Sequence, residues 1–200
     1  MKIQKIGAAQ QMVSAWSGGT TTQVAIAPEE AVYAQRDFLW RISSAVVELP
    51  ESNFTSLPDY DRILMILEGE LVLSHDGGEE YVLKALDQTA FDGASDTYSR
   101  GKVTDFNLMM RKNQCTGSVT ARVLSQQERW ENIFDTVDQT DTQVIYCFRG
   151  SVDVAIEQKS VHLDAGDAVR IDFECRDNRT HRCTICGDAV VIAAQIQLTR

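Results

Sequence analysis

The sequence has few of the features that mark nucleic-acid-binding or membrane-spanning proteins. Lysine and arginine together number 19 against 29 aspartates and glutamates, which gives a net charge of −10 at pH 7. This balance argues against a nucleic-acid partner, because phosphate binding depends on clustered basic side chains. No segment approaches the roughly 20 apolar residues that a transmembrane helix needs, so no membrane partner is expected.

The first ten residues, MKIQKIGAAQ, also lack an apolar core. Their lysines are not followed by the run of about 7 to 15 apolar residues that a signal peptide requires. The five cysteines are an odd number, and Cys147 and Cys175 stand in strand-like contexts where free cysteine acts as a small hydrophobe. Reduced thiols and a cytoplasmic location are therefore expected.

Histidine is scarce, and the three residues, His75, His162 and His181, are isolated from one another. The segment closest to a metal motif is His181-Arg-Cys183-Thr-Ile-Cys186. Zinc would need a further ligand there, and no second CxxC occurs. Cys183 and Cys186 are therefore interpreted as small residues entering the last strand. Neither a metal nor another cofactor is expected.

What the sequence does contain is one β pattern that occurs twice. Residues 60–74, YDRILMILEGELVLS, consist of two apolar runs separated at Gly69, which predicts two strands bent at that glycine. Residues 143–157, QVIYCFRGSVDVAIE, repeat the arrangement around Gly150, 81 residues further on. This spacing predicts two divergent copies of one β unit.

Short strands dominate the rest of the chain, with turn signals about every 8 to 12 residues. The pattern predicts an all-β fold, a duplicated barrel or double-sheet jelly roll with few short helices. An immunoglobulin-type sandwich is the alternative, but the Cys, Trp, Cys spacing of that fold is missing. Residues 125–135 are the exception, because Trp130, Ile133 and Phe134 recur at helical spacing and predict a helix that packs or forms a dimer contact.

Strand alternation places several polar residues on faces that are otherwise apolar. Because residues i and i+2 of a strand share a face, Arg41 lies with Ser43, and Asp105 lies with Asn107. Arg62 shares its face with apolar residues. If these faces converge, the five side chains line a cavity with about one excess positive charge, which suits a small carboxylate ligand. Alternatively, the arginines are solvated strand ends and Asp105 caps a turn.

A glycine-rich segment, Trp16-Ser-Gly-Gly-Thr20, precedes the strand predicted over residues 21–27. It is not followed by the helix N-terminus that phosphate-binding loops use. It is predicted to be either a tight turn or a loop that contacts a ligand.

Together, four segments resemble the HutD/Ves family in content and order: WSGGTTT at 16–22, FLWRIS at 38–43, NFTSLP with the following Asp-Arg at 53–62, and DFNLM at 105–109. The resemblance is strong over residues 10–125 and extends to the second half only in length and architecture. It implies a duplicated cupin-type β-barrel, or bicupin.

On this basis, residues 1–125 are expected to form an N-terminal cupin-like barrel that holds the ligand cavity. Residues 126–200 are expected to form a C-terminal cupin-like half, with a hinge at 135–142 and both halves packed as one compact unit.

The resemblance also implies site residues, at the positions of this sequence that match the family's motifs. The expected ligand-binding residues are Trp16, Gly18, Gly19, Thr20, Arg41, Ser43, Arg62, Asp105, Asn107 and Met109. The resemblance further implies an association with histidine utilisation in bacteria. The histidine-rich metal motif of enzymatic cupins is absent from both halves, which argues against a metal-dependent dioxygenase or isomerase.

Three functions stay open. The first is a metal-free, non-catalytic bicupin that binds a small carboxylate metabolite and regulates histidine utilisation. The second is a metal-free isomerase, hydrolase or lyase acting on an amino-acid derivative, with Asp105 as its acid or base. The third is a protein-interaction module, and a homodimer is compatible with each. The missing metal ligands favour the first over the enzymes usual in this fold.

Overall fold

β-Strands make up most of the computed structural model, which describes residues 1–135, 142–173 and 180–199. The predicted all-β, cupin-type fold class is confirmed. The helical segments of the described residues are two short 3-10 helices, Ala8–Gln10 and Tyr33–Gln35, and none is long and apolar enough to cross a membrane. The strands are β1 Lys2–Ile6, β2 Met12–Trp16, β3 Gly19–Ala27, β4 Trp40–Val47, β5 Glu51–Asn53, β6 Tyr60–His75, β7 Tyr81–Lys84, β8 Gln88–Asp92, β9 Thr97–Arg100, β10 Val103–Arg111, β11 Cys115–Leu124, β12 Arg129–Asp135, β13 Thr142–Ile156, β14 Lys159–Asp164, β15 Ala168–Asp172 and β16 Thr180–Leu198.

The chain divides into two units, Met12–Cys115 and a second formed by Met1–Gln11 with Thr116–Arg200. The N-terminal unit holds a sheet of order β2-β3-β4-β10-β6-β9-β5, with β7 and β8 also paired to β6. The C-terminal unit holds a sheet of order β1-β15-β13-β16-β11, with β12 paired to β16 and β14 to β13.

This division differs from the predicted halves, residues 1–125 and 126–200. β1 pairs antiparallel with β15 over its whole length, so the first residues of the chain belong to the C-terminal unit. β11 pairs with β16, which moves the other boundary to residue 116. Both boundaries are set by pairing between strands that are distant in sequence. The composition of the chain does not reveal such pairing. The hinge predicted at 135–142 lies largely outside the described residues.

The two predicted copies of the β unit are β6 and β13. Each is one continuous strand, of 16 and 15 residues, where two were predicted. Each exchanges pairing partners near its glycine: β6 passes from β8 to β7 and β9, and β13 passes from β15 to β14. Gly69 and Gly150 have φ values of 87° and 81°, in the left-handed region that favours glycine.

Residues 129–135 form a strand where a helix was predicted. β12 pairs antiparallel with β16 along its whole length. Pairing with a long neighbouring strand overrides the local helical composition of this segment. Trp130 is half-buried against the core of the C-terminal unit. The helix predicted from the spacing of Trp130, Ile133 and Phe134 is therefore wrong.

Separate apolar clusters fill the two units. The C-terminal cluster is large and includes Ile145, Cys147, Val191 and Ala193. Smaller clusters lie in the N-terminal unit: one includes Leu64, Ile66, Leu71, Leu73, Leu83 and Val103, and another includes Ile26, Phe38, Leu57, Tyr60 and Met109.

Four cysteines are free: Cys115, Cys147, Cys183 and Cys186. Burial raises the pKa of the Cys115 and Cys147 thiols to about 11 and that of Cys183 to about 12. These three thiols are therefore protonated and unreactive at neutral pH. Cys175 lies outside the described residues.

Candidate functional site

A cavity of about 570 Å³ lies within the N-terminal unit. Strands β2, β3, β4, β5, β6 and β10 contribute to its wall, together with residues on either side of β5 and the 3-10 helix at Tyr33. The lining residues are Ser14, Trp16, Ser17, Thr21, Tyr33, Arg41, Ser43, Ala45, Val47, Leu49, Ser52, Asn53, Phe54, Thr55, Arg62, Asp105, Asn107 and Met109.

Register and alternation bring the polar residues of three strands to the same wall. β10 lies between β4 and β6, and Met109 is paired with Arg41 on one side and with Arg62 on the other. Two residues earlier on the same face, Asn107 is paired with Ser43. Each strand thus presents its inward positions to the same space.

Burial separates the lining into an inner wall and a rim. The inner wall consists of residues that are at most 6% exposed: Arg41, Ser43, Arg62, Asp105, Asn107 and Met109. The rim consists of exposed residues: Ser14, Trp16, Ser17, Leu49, Asn53 and Thr55. The charged side chains that line the cavity, two arginines and one aspartate, all belong to the inner wall.

Arg41 is held in place by two hydrogen bonds and an aromatic ring. Its Nε donates to Gln23 Oε1 at 2.8 Å, and a terminal nitrogen donates to Ser43 Oγ at 3.1 Å. The guanidinium lies 4.3 Å from the centre of the Tyr33 ring. Burial lowers the pKa of Arg41, but an arginine in this setting stays charged at neutral pH. Arg41 is therefore a fixed cation with donors left over.

Arg62 is held by two aromatic rings and has an unused donor. Its guanidinium carbon lies 5.0 Å from the ring centres of both Phe54 and Phe91. Its Nε is buried and has no hydrogen-bond partner among the described residues. Burial lowers the pKa of Arg62 to about 10, with the nearby charge of Asp105 acting in the opposite direction. Arg62 is thus a buried cation at neutral pH with a free N–H.

Asp105 is the one carboxylate of the inner wall. Burial raises its pKa to about 7, although the charge of Arg62 and a hydrogen bond from the Ala45 backbone both act to lower it. Asp105 therefore exchanges its proton near neutrality. Asn107, next to it on the same face, has a buried Oδ1 to which no described residue donates a hydrogen bond. The inner wall can bind an anion, accept hydrogen bonds from a ligand and transfer a proton.

Three of the ten residues expected to bind a ligand do not line the cavity: Gly18, Gly19 and Thr20. The glycines serve the turn between β2 and β3. A Cβ on Gly18 would lie 2.0 Å from the Trp16 ring, and one on Gly19 would lie 1.9 Å from the backbone oxygen of Val46. Gly18 therefore lets the indole rest against the turn, and Gly19 permits the close approach of β3 to β4.

The other seven expected residues all line the cavity, which they share with residues that are not among the ten expected to bind a ligand. Thr21 follows from the alternation of β3, because its backbone pairs with that of Ala45 on the cavity face of β4. Tyr33 begins a 3-10 helix and Leu49 lies between β4 and β5, where strand alternation gives no information. The remaining residues of this kind are Ser14, Ser17, Ala45, Val47, Ser52, Asn53, Phe54 and Thr55.

The three histidines, all of them in the described part of the chain, are not among the residues that line the cavity. The ring nitrogens of His75 bond to Thr97 Oγ1 at 2.8 Å and to Tyr81 OH at 2.7 Å. His162 lies on the surface, and His181 contacts Glu157 at 2.9 Å. Within the described ranges, no group of three or more His, Cys, Asp or Glu side chains is arranged to hold a metal ion.

Comparison with known proteins identifies relatives over nearly the whole chain. A model of the HutD family matches residues 8–191. Among curated proteins, none matches the sequence.

Several solved structures share the fold. A conserved protein of unknown function from Pseudomonas aeruginosa PAO1 is 20% identical, with 98% of this chain and 100% of that chain covered and a TM-score of 0.82. HutD from Pseudomonas fluorescens SBW25, solved in a formate condition, is 20% identical, with 98% and 99% covered and a TM-score of 0.75. The bacterial pirin YhhW from Escherichia coli, in complex with nickel(II), is 12% identical, with 97% and 98% covered and a TM-score of 0.66.

Proposed function

Because the chain belongs to the HutD family, we propose that it binds a small carboxylate metabolite in the cavity of its N-terminal unit and thereby acts in the regulation of histidine utilisation. The observation that carries this proposal is Arg62, a buried guanidinium at the cavity wall whose Nε has no partner among the described residues. In this proposal the protein senses the metabolite and does not convert it.

The charge of the inner wall supports an anionic ligand. Arg41 and Arg62 are both buried, and neither forms an ion pair with a described carboxylate. Asp105, with a pKa of about 7, offsets at most one of the two positive charges. Buried cations are stabilised by an anion that accepts their hydrogen bonds, and guanidinium groups match the two oxygens of a carboxylate.

The side chains that line the cavity are better suited to binding a carboxylate through arginine than through a metal ion. The described residues that line it include no histidine or cysteine, and Asp105 is their single carboxylate. A cupin that binds its ligand through a metal needs several such donors in one place. The proposed site therefore works without a metal.

The test is a thermal-shift and calorimetric screen of chelator-treated protein with formate, urocanate, formylglutamate, formiminoglutamate and histidine. Wild type should be stabilised, by roughly 2.7 kcal/mol at a ligand concentration 100 times Kd. Arg62→Met should weaken binding at least about tenfold, because a charge-assisted pair contributes roughly 1.5–3 kcal/mol.

Arg100→Met is the matched control, since this arginine is half-exposed, bonds Glu80 and does not line the cavity. Its affinity should equal that of wild type. Equal affinity of wild type and Arg62→Met would overturn the proposal, as would the absence of any response to all five compounds. A regulatory role further requires one pathway intermediate to bind at least tenfold more tightly than formate.

A second candidate function is proton-transfer catalysis by Asp105. Its pKa of about 7 is suited to a general acid or base at neutral pH, and its position beside Arg62 would place it next to a bound carboxylate. NMR of each binding compound over time decides between the two functions. Consumption that stops in Asp105→Asn would establish an enzyme, and unchanged compound would establish a binding protein.

A further inference from the structure

We propose that the rim of the cavity selects carboxylates whose other end is a flat, uncharged ring or conjugated group, and that Trp16 is the residue that selects them. The inference rests on the proposed carboxylate site and adds to it the chemical class of the ligand.

Trp16 presents a large apolar surface at the cavity while remaining accessible. The residue lines the cavity and is still 42% exposed, so part of its indole is in contact with solvent. Two other residues of the cavity lining, Leu49 on the rim and the half-buried Phe54, add further apolar surface. A flat group placed between these side chains would remove apolar surface from water and could stack on the indole.

The position of the indole is fixed by the local backbone. Trp16 is the last residue of β2 and is paired with Gly19 at the start of β3. At Gly18 a Cβ would lie 2.0, 2.4 and 2.8 Å from three carbons of the indole six-membered ring. The ring therefore rests on the turn itself, in a place that only glycine leaves open. This contact orders an exposed side chain before any ligand arrives.

The charges of the lining residues indicate the chemistry of the end of the ligand that lies at the rim. The described residues of the rim include no charged side chain, and the polar ones are the neutral Ser14, Ser17, Asn53 and Thr55. An ammonium group or a second carboxylate at the rim would meet no countercharge from these residues. Neutral hydroxyl and amide groups can still hydrogen-bond a ring heteroatom or substituent.

The size of the cavity agrees with a ligand larger than formate. Its volume of about 570 Å³ falls within the range of roughly 300–1,000 Å³ typical of pockets for small organic molecules. A carboxylate held at Arg62 in the inner wall leaves the space toward Trp16 for the remainder of the molecule.

The experiment compares acetate, benzoate, trans-cinnamate, cyclohexanecarboxylate and benzamide by calorimetry, on wild type, Trp16→Ala and Trp16→Phe. Benzoate and trans-cinnamate should bind at least about fivefold more tightly than acetate, and benzoate more tightly than cyclohexanecarboxylate, given the usual strength of aromatic stacking. Benzamide should bind weakly, because it lacks the negative charge.

Trp16→Ala should weaken benzoate and trans-cinnamate about fivefold and leave acetate unchanged, while Trp16→Phe should retain most of the preference. Tryptophan fluorescence gives a second readout. Trans-cinnamate should quench the emission of wild type and of the control Trp130→Phe, whose substitution lies in the C-terminal unit, and should have little effect on Trp16→Ala.

The outcomes separate this inference from the proposed function. Binding of acetate and trans-cinnamate with equal affinity, or a preference that persists in Trp16→Ala, would overturn the role of Trp16 and leave the carboxylate site standing. Equal binding of benzoate and cyclohexanecarboxylate would overturn selection for a flat group. If no carboxylate binds, or if benzamide binds as well as benzoate, the proposed function fails and the inference fails with it.

Discussion

Each unit contains a long strand with a glycine near its middle, β6 in the N-terminal unit and β13 in the C-terminal unit. The side chains that face the space beside these two strands differ. When Gly69 of β6 is aligned with Gly150 of β13, Arg62 corresponds to Gln143. Both are buried, and each has at least one polar side-chain atom without a partner among the described residues. In the N-terminal unit this position supplies a cation to a cavity. In the C-terminal unit it holds a neutral amide that is 0% exposed.

The strands paired to β6 and β13 show the same contrast. Asp105 and Asn107 of β10 are paired with β6 at the positions where Val191 and Ala193 of β16 are paired with β13. Val191 and Ala193 belong to the apolar core of their unit, whereas Asp105 and Asn107 line the cavity. The residue types at a few inward positions therefore decide whether this strand pair borders an apolar core or a cavity. The fold, which the two units share, does not decide this.

The largest effect is expected when a carboxylate is placed at Val191, the position of the C-terminal unit that corresponds to Asp105. Val191→Asp would bury a charge inside an apolar cluster without a counterpart to Arg62. We expect a loss of more than about 4 kcal/mol in the free energy of unfolding, measured with urea at pH 8, because an unpaired buried charge is among the costliest substitutions.

The near-isosteric Val191→Thr is the control for this substitution and should lose about 1–3 kcal/mol, the usual cost of a buried hydroxyl. Equal losses for Asp and Thr would show that the C-terminal core accommodates charge as the N-terminal cavity does, and the comparison would fail.

A smaller effect on the free energy of unfolding is expected from Asp105→Asn, which removes the group of the inner wall that titrates near neutral pH. The pKa of Asp105 is raised from 3.8 to about 7 in the folded protein, so the folded state favours the neutral carboxyl. Its stabilising contribution is complete below about pH 4 and is lost as the pH rises through 7. Between about pH 4 and pH 7 the free energy of unfolding falls by about 1.4 kcal/mol for each pH unit.

Urea unfolding at pH 5 and pH 8 measures this difference. Wild type should lose up to a few kcal/mol more than Asp105→Asn between these two values. Carboxylate binding gives an independent check, because a neutral Asp105 leaves both arginine charges unopposed. Affinity for formate should rise from pH 8 to pH 6 in wild type and stay level in Asp105→Asn. Parallel pH profiles for the two proteins would contradict the raised pKa.

The smallest change in stability is expected at Gln143, the position of the C-terminal unit that corresponds to Arg62. Both polar atoms of its buried amide lack hydrogen-bond partners among the described residues, whereas the cation at the corresponding Arg62 faces a cavity. Gln143→Leu should stabilise the protein by about 1 kcal/mol, since it removes unsatisfied polar atoms and keeps the volume of the side chain. Thermal unfolding measures the change, and a clear loss of stability would mean that the amide is satisfied by buried water.

The repeat could be predicted because its glycine-split apolar runs recur at a fixed spacing, and the inner wall could be predicted because it depends on strand parity. Once Arg41, Arg62 and Asp105 are taken as inward positions of β4, β6 and β10, their convergence needs no knowledge of loops. The glycine at the bend of each long strand marks the same place in both copies. This information is local, and it is present in the order of the residues.

The features that could not be predicted depend on contacts between distant parts of the chain. The strand at 129–135 adopts its conformation because it pairs with β16, in spite of a helical composition. The cavity lining also includes Tyr33 and Leu49, which lie outside the strands, so strand alternation does not place them. Gly18 and Gly19 were grouped with the ligand-contacting residues, and only three-dimensional geometry shows that they support Trp16 and the β2–β3 turn.

The membership of the first eleven residues in the C-terminal unit has a consequence for how the protein folds during synthesis. Residues 12–115 form a continuous stretch and can fold as soon as they leave the ribosome. β1 cannot complete its pairing until β15 has been made, and the bond from Ala8 N–H to Asp167 Oδ1 joins residues 159 positions apart. β1 is thus made long before it can pair with β15, and the closing of that long loop is expected to be a late and slow step.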